Sequence, residues 1–433
     1  MFLVPSFVEL LQPLSCVMTT PSFNSFQTIL LGWVFAPRRT VTGMLLAADA
    51  VGSKHHSAYH RLFSAARWSL DELGLAVFSL ILPLVHGTVV LVGDDTLARK
   101  RGLKVHGVGM HHDPLVSSRK KAIVNWGHCW VILGVLIQFP FADRCFCLPI
   151  LFRLYVSKQT IRNKGGSYQT KPQLLVQMLQ LLCQRHAERH LHLLVDSAYG
   201  GKSVLLKLPE NCQLTSRLLL DARLYDAPPP KTGKVGRPRK RGERLPTPRQ
   251  MLQGRCRHIE LDIYGRHDKS RIAQVVARVY AAPDRPLKVV AVEPLRGGRQ
   301  IQAFYSTVHT ASAEWVLSQY ARRWSVEDTI HEAKGQLGFE QPQGWTKAAV
   351  LRTAPVAMLL YSLIVLWFNA QGHRHYQPPK RPWYPNKPHA SFADMLATLR
   401  ACSVEKEVLS MPLHDQSVQN LLQTLIHVVK QAA

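Results

Sequence analysis

Acidic residues are scarce in this sequence. Only 28 Asp and Glu stand against 54 Lys and Arg in 433 residues, which leaves a formal charge of +26 at pH 7. A surplus of this size exceeds what solubility requires and indicates a polyanionic partner. Disorder is excluded too, because 46% of the residues are hydrophobic, and the length allows about two or three domains around one core.

Paired cysteines and uninterrupted membrane spans are also lacking. The eight cysteines are scattered without C-x2-C spacing or a disulfide framework, which predicts reduced core residues in a cytoplasmic protein. Three stretches, 73–93, 122–142 and 354–372, carry no charge, but proline or polar residues interrupt each of them. We therefore expect buried strands and helices and no membrane partner. No basic segment precedes the apolar N-terminus, so we expect no secretory signal.

Segments rich in Val and Leu predict strands over 88–95, 122–138 and 144–156. An amphipathic helix over 171–189 and a strand over 191–195 follow. This order predicts an α/β fold and is that of an RNase H-like core, although periodicity alone permits other α/β folds. Further strands over 256–264, 271–280, 287–292 and 300–307 predict a β-rich insertion, and helices resume at Ala311.

Two basic segments are candidates for DNA contact. Residues 40–73 predict two short helices around Gly52 and Ser53, and the second helix carries Arg61 and Arg67. This pattern resembles a helix-turn-helix, although any two helices joined at a glycine can imitate one. The Pro/Gly-rich loop 226–250 contains an AT-hook-like core with Arg237 and Arg239. Such a core inserts Arg into narrow minor grooves, and a merely basic loop is the alternative.

Three carboxylates are candidates for chemistry. Asp95 closes the strand in VVLVGDDT, and Asp196 closes the strand in LLVDSAYG. Strand ends are where α/β folds place functional groups, although a turn aspartate is the alternative for each residue. Glu327 lies on a predicted helix, where it shares one face with Tyr320, Arg323 and Lys334. An exposed stripe of i, i+4 pairs is the alternative there.

The spacing Y-x2-R-x3-E-x6-K of these four helix residues resembles the Y-R-E-K signature of DDE-type, cut-and-paste insertion-sequence transposases of bacteria. DDTLARKRG, WGHCWVILG and VDSAYGG are similar to segments of that family and occur in the same order. The resemblance covers about residues 39–345. It implies an RNase H-like core in which Asp95, Asp196 and Glu327 bind metal and catalyse the reaction. The family has an Asp directly before Thr, which favours Asp95 over Asp94.

The same resemblance implies cofactors and partners. Two Mg²⁺ ions are expected, with Mn²⁺ able to substitute, for cutting element ends and joining their 3′-hydroxyls to target DNA. Tyr320, Arg323 and Lys334 would contact phosphates, and Trp324 or Trp315 could hold a flipped base. The partners are double-stranded DNA, at the element ends and the target, and a second copy of the chain in a homodimer. The protein would work in the bacterial cytoplasm, on the nucleoid.

The predicted fold class is therefore α/β, an RNase H-like catalytic core with a β-rich insertion and helical N- and C-terminal regions. Residues 1–85 form a helical DNA-binding region, 86–225 the first part of the core and 226–308 the basic loop and insertion. Residues 309–345 carry the glutamate helix, and 346–433 are helical. A catalytically idle or domesticated DNA-binding protein and an RNase H-fold nuclease without strand transfer are the alternative functions.

Overall fold

The computed structural model describes residues 3–113, 116–118, 120–164, 166–229, 239–263, 266–295, 300–378 and 387–409. The β-strands within these ranges are β1 (Val89–Arg99), β2 (Gly109–His112), β3 (Val124–Gln138), β4 (Cys145–Tyr155), β5 (Leu191–Val195), β6 (Cys212–Leu218), β7 (Leu224–Tyr225), β8 (Arg244–Leu245), β9 (Arg257–Ile263), β10 (Arg266–Val279), β11 (Ala282–Pro294) and β12 (Gln302–Ser306). The strands predicted from hydrophobic patterning are all among them, whereas β2, β6, β7 and β8 were not predicted.

The α-helices in the described ranges are α1 (Pro5–Leu11), α2 (Thr20–Phe35), α3 (Val41–Ala47), α4 (His56–Ser64), α5 (Leu70–Ile81), α6 (Lys158–Lys164), α7 (Lys171–Arg185), α8 (Lys202–Leu205), α9 (Pro248–Met251), α10 (Ala313–Arg322), α11 (Ser325–Gly335), α12 (Lys347–Ala370) and α13 (Phe392–Leu409). Several begin at a side-chain cap that accepts a backbone N–H, which explains where the chain turns helical. Ser69, Thr170, Ser312 and Thr346 are such caps.

The strands form one mixed sheet with the order β2-β3-β1-β5-β6-β12-β11-β10-β7-β8, with β4 paired to β3 and β9 paired to β10. β1, β3 and β4 are antiparallel neighbours, whereas β1, β5 and β6 run parallel. The strands predicted as an insertion continue the same sheet, because β12 pairs with β6. The fold is thus mixed α/β, as the sequence predicts.

Helices cover β1 on both faces. Gly93 allows α7 to approach closely, since a Cβ there would lie 2.7 Å from the side chain of Leu175. On the other face, Val92 packs in an apolar cluster with Leu194 of β5 and Val326 of α11. The central strand is therefore buried on both sides, and its sequence shows a continuous apolar run rather than an alternating one.

The N-terminal helices are part of the main core. Trp33 of α2 is fully buried, and its indole Nε1 donates to the carbonyl of Leu337, just beyond α11, at 2.8 Å. Arg352 of α12 donates to the carbonyls of Ala66 and Trp68, next to α4, at 2.8 and 2.6 Å. Helices α1 to α5 lie within residues 3–85, and α12 and α13 lie within the described part of 346–433.

α12 is the one helix in the described part of the chain that is long and apolar enough to cross a membrane. However, 89% of its most apolar window is buried inside the protein. Its contacts with β4, α4 and α5 account for its apolar composition.

Buried histidines should make the stability of this fold sensitive to acid. His192 on β5 is 3% exposed and hydrogen-bonded to Thr215 at 2.8 Å, and burial lowers its pKa to about 4. A histidine pKa near 6.5 in the unfolded chain means that the unfolded state binds the proton first. The stabilising effect of the neutral ring is complete above about pH 6.5 and is lost as the pH falls toward 4. We expect this histidine alone to lower the free energy of unfolding by about 2 kcal/mol between pH 7 and 5.

Urea unfolding at both pH values measures this loss. His192→Gln should flatten the pH dependence, whereas the exposed His190→Gln, next to the same strand, should keep the wild-type slope. Equal slopes in wild type and His192→Gln would contradict the assignment.

Candidate active site

Two carboxylates meet where β1 and β5 run side by side. The parallel register pairs Val92 with Leu194 and Gly93 with Val195. Side chains alternate between the faces of a strand, so Asp94 lies on the same face as Val92. Continuing the register one position beyond β5 brings Asp196 next to Asp94, on the face that α11 covers. Electrostatic coupling between Asp94 and Asp196 agrees with this placement.

Asp95 points to the opposite face. Its Oδ1 accepts from the hydroxyl of Tyr199 at 2.6 Å, and its Oδ2 accepts from Lys171 Nζ at 2.6 Å and from Cys129 Sγ at 3.3 Å. Lys171 is the first residue of α7, so this cluster lies on the α7 side of the sheet. Of the two neighbouring aspartates, Asp94 is the one on the side of Glu327. The predicted trio of Asp95, Asp196 and Glu327 is therefore not brought together on one face.

The predicted glutamate helix is divided in two. α10 ends at Arg322 and α11 begins at Ser325, with a tight turn at Arg323 and Trp324 between them. The amides of Arg323 and Glu327 both bond to carbonyls three residues back, at 3.1 and 2.9 Å. The expectation of a continuous stripe from residue 320 to 334 is wrong in this respect, because Tyr320 belongs to α10 while Glu327 and Lys334 belong to α11.

Arg323 bridges two of the carboxylates. Its Nη1 donates to Asp94 Oδ2 at 2.9 Å, and its Nη2 donates to Glu327 Oε1 at 2.6 Å. The side chain of Arg323 is only 11% exposed, whereas that of Glu327 is 37% exposed. Burial raises the pKa of Asp94 to about 7, because lost hydration outweighs the attraction of Arg323 and the nearby Asp196 adds repulsion.

The other predicted helix residues surround this bridge. The ring of Tyr320 lies 5.7 Å from the guanidinium of Arg323, and burial raises its pKa. Lys334 Nζ donates to the carbonyl of Leu97 at 2.7 Å, which ties α11 to the end of β1. Trp324 is 48% exposed beside the site.

Within the described ranges, none of the arginines predicted to contact DNA from the N-terminal region or the basic loop bonds to a carboxylate of the acidic site. Arg61 lies on α4, Arg67 follows it, and both are exposed, as is Arg239. Arg237 lies outside the described residues. Among the residues that are described, no three His, Cys, Asp or Glu side chains are close enough to form a preassembled metal centre.

Sequence reasoning missed the residues that bind Asp95. Tyr199 lies in VDSAYGG, a segment that resembles the transposase family. A hydrophobic pattern, however, cannot show that Tyr199 and Lys171, at the start of α7, bind the same carboxylate. The bridging position of Arg323 was missed for the same reason, since its partner Asp94 is 229 positions away.

Comparisons with known proteins place the chain in a family. No curated protein matches it. The family model described as DDE superfamily endonuclease matches residues 13–268, more than half of the chain. The match includes Asp94, Asp95 and Asp196 and ends before Glu327. The chain therefore belongs to the DDE superfamily of endonucleases, in agreement with its resemblance to DDE-type transposases.

Proposed function

We propose that the protein is a DDE transposase that cleaves the ends of an insertion sequence and joins the 3′-hydroxyls to target DNA. Membership of the superfamily supports a nuclease or transposase type of function on DNA. The observation that carries the proposal is the placement of Asp94, Asp196 and Glu327 on one side of the sheet, where β1, β5 and α11 meet.

The sheet supports an RNase H-like core. Five of its strands run in the order β4-β3-β1-β5-β6, with the first three antiparallel and the last two parallel to β1. A helix on each face of β1 completes the layers. The remaining strands between β6 and α10 fit an insertion ahead of the glutamate helix.

Asp94, Asp196 and Glu327 would hold the divalent ions, so Asp94 replaces Asp95 in the proposed set. Their oxygens are the hard donors that Mg²⁺ prefers, with Mn²⁺ as a substitute. The fit is supported by Asp94, a largely buried carboxylate that shares the guanidinium of Arg323 with Glu327. Bound metal would supply an activated nucleophile and stabilise the leaving oxygen.

The side chains around the carboxylates would hold DNA. Arg323 is suited to bind a phosphate with both nitrogens, provided that it exchanges at least one carboxylate bond for a phosphate bond. Trp324, three residues before Glu327, is 48% exposed, and its ring can stack on an unpaired base. Lys334 and Tyr320 would support these contacts. The charge of +26 fits a long DNA path, with Arg61, Arg67, Arg237 and Arg239 as outlying contacts.

The decisive experiment detects joined DNA. A labelled linear duplex, carrying the coding sequence with the DNA that flanks it on both sides, is incubated with purified protein, Mg²⁺ and a supercoiled plasmid. We expect the protein to cut the labelled DNA at the element ends and to join the freed 3′-hydroxyls to the plasmid. EDTA should abolish both the cut and the joined product. Glu327→Gln should give neither product, whereas the matched variant Glu332→Gln on the same helix should give both.

The other products decide between functions. Cutting without transfer would support a nuclease of this fold, and specific binding without cutting would support an idle DNA-binding protein. Joined DNA from Glu327→Gln would refute the assignment of the glutamate. A size measurement of the protein on the duplex would test whether two copies bind together.

A further inference from the structure

We infer that Asp95 and Tyr199 are positioning residues that fix the turn carrying Asp196 so that its carboxylate is set for the metal. This inference rests on the proposed function, because it assigns Asp196 to the metal site. It also gives Asp95 a role different from that of its neighbour Asp94.

The turn after β5 is tied to Asp95 through one side chain. Asp196 Oδ1 accepts from the amides of Ala198 and Tyr199 at 3.0 and 3.3 Å, which orients its carboxylate. The same Tyr199 extends its hydroxyl to Asp95 Oδ1 at 2.6 Å. Tyr199 is 1% exposed, so a single buried residue links the carboxylate of Asp196 to the opposite face of β1.

Asp95 is itself held too firmly to be a free ligand. Lys171 and Cys129 donate to its other oxygen at 2.6 and 3.3 Å. A tyrosine hydroxyl is protonated at neutral pH, so Tyr199 is the donor in its bond to Asp95. With both oxygens accepting, Asp95 serves as an anchor between α7 and the turn.

Two further bonds hold the turn from the β6 and β12 side. Ser216 Oγ donates to the carbonyl of Asp196 at 2.9 Å, and the hydroxyl of Tyr305 donates to the carbonyl of Gly200 at 2.6 Å. Gly200 allows this contact, because a Cβ there would lie 2.0 Å from Ser216 Oγ. The turn is thus fixed on both sides, and Tyr199 is its connection to the α7 side.

Residues that orient metal ligands typically contribute about 10- to 100-fold to metal affinity. We therefore expect Tyr199→Phe to raise the dissociation constant of Mn²⁺ by about tenfold or more. Calorimetric titration of the full chain with Mn²⁺ measures this. The Mg²⁺ concentration for half-maximal cleavage of the labelled duplex should rise in parallel, and the maximal rate should be recovered at high Mg²⁺. A higher Mg²⁺ requirement with an unchanged maximal rate distinguishes a positioning role from a general loss of folded protein, which would lower the maximal rate.

Tyr168→Phe is the matched control, because Tyr168 bonds to the hydroxyl of Tyr155 at 3.3 Å and does not contact Asp95 in the described structure. It should bind Mn²⁺ as wild type does. Asp95→Asn keeps an acceptor for the hydroxyl of Tyr199 but loses the ion pair with Lys171. Because the turn that carries Asp196 is then held less firmly, Mn²⁺ binding should weaken without being abolished.

Each outcome is informative. Wild-type affinity in Tyr199→Phe would overturn the inference while leaving the proposed function intact. Complete loss of Mn²⁺ binding in Asp95→Asn, with Tyr199→Phe unaffected, would make Asp95 a ligand and overturn it as well. A wild type that binds Mn²⁺ but never cuts DNA would refute the proposed function, and the affinities would still test the inference. A wild type that binds no Mn²⁺ would contradict both.

Discussion

Asp94→Asn should lower the rate of DNA cleavage at saturating Mg²⁺ by on the order of a thousandfold, whereas Asp95→Asn should retain most of the wild-type rate under the same conditions. Loss of a residue that only orients a ligand lowers metal affinity by about 10- to 100-fold, which saturating Mg²⁺ overcomes, whereas loss of a ligand lowers the cleavage rate itself. The substitution preserves size and leaves an acceptor for Arg323. Single-turnover cleavage of the labelled duplex provides the measurement.

The two variants make the same chemical change at adjacent positions on opposite faces of β1, so a difference between their cleavage rates reports which face carries the metal site. Asp94 bonds to Arg323 at 2.9 Å, while Asp95 bonds to Lys171 at 2.6 Å. Folding serves as an internal check. Burial raises the pKa of Asp94 to about 7, so the folded protein favours the uncharged side chain, and Asp94→Asn should have a thermal midpoint equal to or above that of wild type. A slow Asp95→Asn beside a fast Asp94→Asn would restore the assignment made from the sequence.

The sequence could not distinguish these two aspartates. Side-chain alternation requires them to face opposite ways, but it names the functional face only when one side of a strand is polar. β1 is apolar on both sides, because α7 and α11 cover it. The family pattern favoured the aspartate next to threonine, and the contacts of Arg323 favour the other one.

Most strands were predictable because they are long and rich in Val, Ile and Leu. β6 was missed because polar residues such as Thr215 and Ser216 occupy its buried positions, where they bond to neighbouring strands and to the turn after β5. The turn between α10 and α11 was missed because the segment contains neither Pro nor Gly, the residues that usually mark such a break. Arg323 in this turn bonds to Asp94, 229 positions away, and no local sequence pattern reveals such a contact.

The N-terminal region shows a different limit of sequence reasoning. The two short helices predicted after residue 40 are present as α3 and α4, and Arg61 and Arg67 are exposed there. The sequence gives no sign, however, that α2 packs on the far end of the glutamate helix. The second half of α2, residues 29–35, is apolar throughout, which fits burial on several sides. Its connection to Leu337 depends on a residue 304 positions away.

Trp33→Ala should therefore destabilise the whole protein, with a loss of about 3 to 5 kcal/mol in the free energy of unfolding. Trp33 is 0% exposed, so the substitution opens a large cavity in the main core. It also leaves the carbonyl of Leu337 without its indole donor. Trp33→Phe fills part of the space and should lose less, mainly the hydrogen bond and the second ring. Urea unfolding at neutral pH measures both variants.

Trp345→Ala is the matched control, because that indole is 66% exposed and its removal should change stability by no more than about 0.5 kcal/mol. A separate N-terminal domain would give another result: Trp33→Ala would unfold only residues 1–85 and leave a second, unshifted transition for the rest. The bond from α2 to the end of α11 predicts one transition that shifts as a unit. Because that bond joins α2 to the segment just after α11, the helix that carries Glu327, we also expect DNA cleavage by Trp33→Ala to fall along this transition as urea is added.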